Sequence, residues 1–82
     1  MTFPFYAVVE LNEGPPVTDI KTFIRTLAGL GAATNHFKSL VVEQLRQNGE
    51  DFDKWPAKQR ARVLKSGHYR LDRWEAVIKK YI

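Results

Sequence analysis

The chain has 82 residues, no cysteine, and 13 lysines and arginines against 9 aspartates and glutamates. That length supports one modest hydrophobic core in a single domain, residues 1–82, and the missing cysteine excludes disulfides, thiolate metal sites and a thiol nucleophile, so packing alone must hold the fold. With 44% hydrophobic and 27% charged residues the composition is that of a folded globular protein and not of a disordered chain, and a cytoplasmic, reducing location fits it.

Residues Phe3 to Leu11 alternate Phe3, Phe5, Ala7, Val9 and Leu11 with Pro4, Tyr6, Val8 and Glu10, a period-2 pattern rich in aromatic and β-branched side chains that predicts a strand or extended arm over 3–11. The run has no basic n-region and is far too short to span a bilayer, so no membrane partner is expected. Pro4 lacks an amide donor and belongs at a strand start or edge, and Asn12-Glu13-Gly14-Pro15-Pro16 ends the extended segment. No second strand is evident downstream. The ladder groups of 3–11 therefore need another mate: a homodimer through the N-terminal strand, packing as an extended arm on the helices, or a short partner strand not evident in the pattern would supply one.

Four helices are expected after it. Thr18 or Asp19 can cap a helix over 18–30 in which Ile20, Phe23, Ile24, Leu27 and Leu30 recur at helical spacing, with Gly29 and Gly31 at its end. Thr34 or Asn35 can cap a second, 35–48, with Phe37, Leu40, Val41 and Leu45 inward and Gly49 as its stop. A third, 54–66, has Pro56 in its first turn and ends at Gly67. The fourth, 72–82, opens on Asp72-Arg73-Trp74-Glu75, the spacing of a capping box, and presents Trp74, Val77, Ile78, Tyr81 and Ile82 on one side. The expected fold is mostly α (α+β): one N-terminal strand or arm followed by a compact bundle of about four short helices.

Two DNA-binding arrangements are worth setting against this order. Placing Gly67 at the turn of a helix-turn-helix puts Val63 and Arg73 at two of its packing positions, a poor match. Strand, helix, Gly31-Ala32-Ala33-Thr34-Asn35 turn and helix, over residues 3–48, resembles the order of ribbon-helix-helix repressors. That resemblance implies pairing of two chains through their strands and reading of DNA by the outward row, here Pro4, Tyr6, Val8 and Glu10, which offers no cation.

Charge is strongly segregated. From Lys54 onward nine cations face only Asp72 and Glu75, a formal +7, while the first 53 residues hold four cations and seven carboxylates, a formal −3. Such polarity presents one face to an anionic partner through a field that an even mixture would cancel. On a helix over 54–66, Lys54, Lys58, Arg62 and Lys65 fall within an arc of roughly 80°. Arg60 falls between Val63 and Leu64 on the inner side and is expected to snorkel or to pair with Asp51 or Asp53. His68, Tyr69 and Arg70 are expected in a connection between helices, with Arg73 and Lys80 on the solvent side of the fourth. Together, Lys54, Lys58, Arg62, Lys65, His68, Tyr69, Arg70, Arg73 and Lys80 are the candidate contacts to a nucleic-acid backbone or an acidic protein surface. A solvated helical face that only maintains solubility has the same composition, and the separation of charge, not its total, favours binding.

Catalytic chemistry finds little support. His36 and His68 have no second metal-type ligand at helical or turn spacing, Ser39 and Ser66 lack a nucleophile-elbow context, and the glycines form no phosphate-cradling loop. Glu50, Asp51 and Asp53 at a helix start suit capping and dipole compensation better than acid–base work. No catalytic residue, metal or cofactor is expected. The two functional expectations are a small non-enzymatic nucleic-acid-binding protein, a regulator by type, and a protein-binding inhibitor or adaptor of the phage or mobile-element kind. The second would use the same basic face or a free strand edge.

Overall fold

A computed structural model describes residues 4–12 and 17–81, the side chains of Val17 and Thr18 excepted. The chain runs β1 (Phe5–Asn12), β2 (Val17–Ile24), α1 (Leu27–Gln47), a 3-10 turn (Phe52–Lys54), α2 (Ala57–Ser66), β3 (His68–Leu71) and β4 (Trp74–Tyr81). The four strands form one antiparallel sheet in the order β2-β1-β4-β3, and α1 packs across one face of it. This overturns the expected four-helix bundle: the fold is α+β, with two helices on a four-stranded sheet. The Asn12–Pro16 turn falls mainly on residues 13–16, outside the described residues, as do Phe3 and Ile82.

Residues 18–30, expected as a helix, are mostly strand. Ile20, Phe23 and Ile24 fit a helical period, but Ile20, Thr22 and Ile24 also fit a period of two, and the β-branched content of Val17–Ile24 favours the extended form once β1 lies alongside. Pairing with β2 on one side and β4 on the other satisfies both edges of β1 within the chain. The strand with no evident mate in the sequence thus has two within the chain, and the ribbon-helix-helix order does not hold, because a hairpin and one helix occupy residues 5–47.

Helix α1 begins earlier than the Thr34 or Asn35 cap predicted. Thr26 caps it, its Oγ1 accepting from the Gly29 amide at 3.0 Å, and Gly29 and Gly31 lie inside its first turns instead of ending a preceding helix. Ala33, Phe37, Val41 and Leu45, four residues apart, are fully buried. That spacing drifts by about 40° per step, so the stripe winds across the twisted sheet. It meets Tyr6 and Val8 of β1, Trp74 and Ala76 of β4, and Phe52.

The expected fourth helix is a hairpin. Asp72 takes φ 53°, in the left-handed region, at the turn between β3 and β4, so the capping box does not form. Trp74 and Ala76 point to α1, and the alternation Trp74, Ala76, Ile78 sets this strand's inner face. Helix α2 matches the third expected helix closely, with Pro56 one position earlier, as N-cap, and Lys54 in the preceding 3-10 turn. It ends on Gly67 at φ 64°, whose amide donates to the Val63 carbonyl.

Candidate nucleic-acid interface

The basic residues divide between two sides of the sheet. Lys58, Arg62 and Lys65 are all exposed on the outer side of α2, and Lys54 is exposed on the turn before it. Their alignment follows from the helix period, while Arg60, Val63 and Leu64 turn partly inward. Helix α2 contributes no fully buried residue, so it lies on the body by one thin edge and leaves most of its surface to solvent. Between Lys54 and Leu71 the chain has no carboxylate, and none of Lys54, Lys58, Arg62 and Lys65 forms an ion pair among the described residues, whose salt bridges are Arg46–Glu43 and His68–Glu75. These four charges are held in water and are not neutralised by the protein.

Arg60 departs from its expected pairing. Its Nε is buried without a hydrogen-bond partner, and neither Asp51 nor Asp53 bridges to it. Asp51 is engaged instead as a cap, accepting from the Asp53 amide at 3.0 Å.

Lys80 joins the same surface from the sheet. With Lys65 it flanks a groove of about 520 Å³ between the start of α1 and the end of α2, floored by Tyr6 and Ile78 and walled by Leu30 and Leu64. Strand alternation, not a helical face, brings Lys80 there, because Lys80 pairs with Tyr6 of β1 and shares its side of the sheet.

His68, Tyr69 and Arg70 belong to β3 and not to a connection between helices. Alternation sends Tyr69 to the α1 side, where its ring meets Trp55 at 5.8 Å and Trp55 in turn meets Phe52 at 5.4 Å. Burial, reinforced by the charge of Glu50, raises the Tyr69 phenol above its ordinary pKa. Tyr69 and Trp55 are thus packing residues of an aromatic cluster, and Trp74, 2% exposed, is core. His68 and Arg70 lie on the opposite face with Lys79, away from the α2 stripe. Arg73 sits in the β3–β4 turn. Lys79 falls on this second face as well, and the alternation of Trp74 to Tyr81 is the signal that separates it from Lys80.

Glu75 is the one acidic side chain in this second group. Its carboxylate is hydrogen-bonded to His68 Nε2, and that bond, with the charges of His68, Arg70 and Lys79, holds it below the ordinary carboxylate value despite some desolvation. A carboxylate depressed in the folded state contributes stability above its unfolded pKa and loses it as pH falls through the folded value. Glu75 is partly exposed, so the effect is small. The melting midpoint of wild type should therefore fall more steeply than that of Glu75→Gln as the pH drops below the normal carboxylate range; parallel curves would show that the bond contributes nothing.

Among the described residues no cluster of His, Asp and Glu could hold a metal ion, and no helix is long and apolar enough to cross a membrane. Comparison of the chain with protein-family models, with curated proteins and with solved structures finds no match.

Proposed function

We propose that the protein binds nucleic acid through its phosphate backbone, using Lys54, Lys58, Arg62, Lys65 and Lys80 as a continuous cationic surface along α2 and into the adjoining groove. The observation that carries this reading is the set of exposed cations Lys58, Arg62 and Lys65 on α2, with no ion-pair partner among the described residues. A folded protein that uses lysines only for solubility gains nothing by separating them from its carboxylates, whereas unpaired cations on one face release counterions when phosphates replace water. From Lys58 to Lys65 the stripe rises about 10 Å, the length of about three nucleotide steps in a duplex strand. Point charges on flexible stems contact phosphates and carry no base information, so binding should be indifferent to sequence.

Fluorescence anisotropy of labelled duplex DNA, single-stranded DNA and RNA, from low to physiological salt, tests this. With about five phosphates engaged, the log–log salt slope should be roughly −4 to −5, and the double substitution Lys58→Glu/Arg62→Glu should weaken binding equally for all sequences and flatten that slope by about 2. Unchanged affinity in the double variant would rule out this surface.

A second reading, a protein-binding inhibitor or adaptor, is favoured by one observation: β2 is an eight-residue edge strand with Ile20 and Ile24 exposed, which suits strand addition by a partner. Binding to an acidic protein that tolerates salt, with no saturable binding to any nucleic acid, would select it.

A further inference from the structure

Helix α1 covers one face of the sheet, and among the described residues no element packs on the other. Strand β1 is apolar on both sides: Tyr6 and Val8 face α1, while Phe5, Ala7, Val9 and Leu11 face away, Ala7 and Val9 already shielded to 3% and 8% exposure within the sheet and Phe5 and Leu11 half-buried. Central strands with two apolar faces are characteristic of sheets covered on both sides, whereas a one-sided antiparallel sheet shows polar residues on its wet face. Here Ile20 and Ile24 continue the bare surface onto β2 and Val77 and Tyr81 onto β4; Ile20 is 56% and Ile24 73% exposed. The Phe5 and Tyr81 rings stack at 4.9 Å on that side.

We infer that this face is covered by the same face of a second copy, forming a two-fold sheet-on-sheet dimer. The charges supply the argument for a copy over a different partner. Among the described residues, ionic side chains on this face are confined to β4 and β3, with Glu75 toward one end of β4 and Lys79 toward the other. A two-fold axis in the interface, perpendicular to the strands, lays β4 on its own copy in reverse. The Glu75 end of each chain then meets the Lys79–Tyr81 end of its partner, twice over. The same operation sets the neutral rows of β1 and β2 on themselves, and small Ala7 faces the larger residues toward the other end of β1. A two-fold axis along the strands would instead lay β4 over β1 of the partner, setting Glu75 on Leu11 and Lys79 on Ala7 with no opposite charge. His68 and Arg70 sit at the β3 border, with Glu75 between them and the apolar centre.

The area is that of a weak, concentration-dependent pair. Three eight-residue strands and the four-residue β3, at about 4.8 Å spacing, present on the order of 460 Å² per copy, so the pair would bury roughly 900 Å², just under the range of a stable specific interface. The two sheets would stack about 10 Å apart with strands near −30°. The α2 stripes would then lie on the two outer sides, clear of the interface, so the dimer does not depend on nucleic-acid binding.

Sedimentation equilibrium from low micromolar to millimolar concentration tests the inference. Wild type should show a reversible monomer–dimer equilibrium. Ile20→Lys, at a position exposed in the monomer, and Lys79→Glu, which sets like charges opposite Glu75, should each weaken association by at least about tenfold with unchanged circular dichroism. The swap Glu75→Lys/Lys79→Glu should recover it. A wild type that stays monomeric throughout, a dimer indifferent to both single substitutions, or a swap that fails to recover association would each overturn the arrangement.

Discussion

Replacing Trp74 with alanine is expected to lower the unfolding free energy by about 3–5 kcal/mol, enough to leave a domain of this size barely folded. Trp74 sits at the start of β4, 2% exposed, in the cluster formed by β1, β4 and α1. Its indole N–H donates to Glu10 Oε2 at 2.7 Å, so it also ties β4 to the far end of β1. Two terms add on truncation: the transfer free energy of a large ring, and the cavity left where a sheet and a helix cannot close together. Trp74→Phe separates them, because it keeps most of the ring and removes the hydrogen bond. It should cost about 1–2 kcal/mol, part of it from leaving the partly buried Glu10 carboxylate without its donor. Urea unfolding of the two variants checks this; an alanine variant within 1 kcal/mol of wild type, taken as roughly the scatter of such extrapolations, would contradict the packing described.

The second large effect lies at the start of α1 and distinguishes two glycines that look equivalent in the sequence. A Cβ added at Gly29 would stand 1.6 Å from the Ile24 carbonyl oxygen, a backbone atom that cannot rotate away, and 3.3 Å from the Thr26 hydroxyl that caps the helix. A Cβ at Gly31 meets nothing within 4 Å. Gly29→Ala should therefore push the end of β2 away from the first turn of α1, disturb the Thr26 cap and cost about 2–4 kcal/mol through strain and the lost cap. Gly31→Ala, in the same helix, should raise stability by about 0.5–1 kcal/mol by reducing the freedom of the unfolded chain and improving helix propensity. Opposite signs in the thermal midpoints of the two variants are the expected result. Equal shifts would show that α1 does not begin where Thr26 places it.

The two cases also show where local pattern reaches its limit. Local pattern was enough for the strand near 3–11, the inward residues Phe37, Val41 and Leu45, the helix that ends at Gly67, and the outward alignment of Lys58, Arg62 and Lys65. Each rests on a period sustained long enough to exclude the alternative, or on a residue such as Gly67 with one favoured use. Residues 18–30 and 72–82 were ambiguous, because Ile20, Phe23 and Ile24, or Trp74, Val77 and Ile78, satisfy a helical spacing and a strand alternation over the same short span. Asp72-x-x-Glu75 reads as a helix cap in isolation and is a tight turn once Asp72 adopts positive φ. Long-range pairing settles the choice, because the governing quantity is non-local: β1 has backbone donors and acceptors on both edges, and β2 and β4 satisfy them by becoming strands. That choice then fixed which cations share a surface, placing Lys80 with α2 and sending Lys79, His68 and Arg70 to the bare side. A strand's alternation assigns neighbouring residues to opposite faces, and no helical projection of the same residues can recover that division.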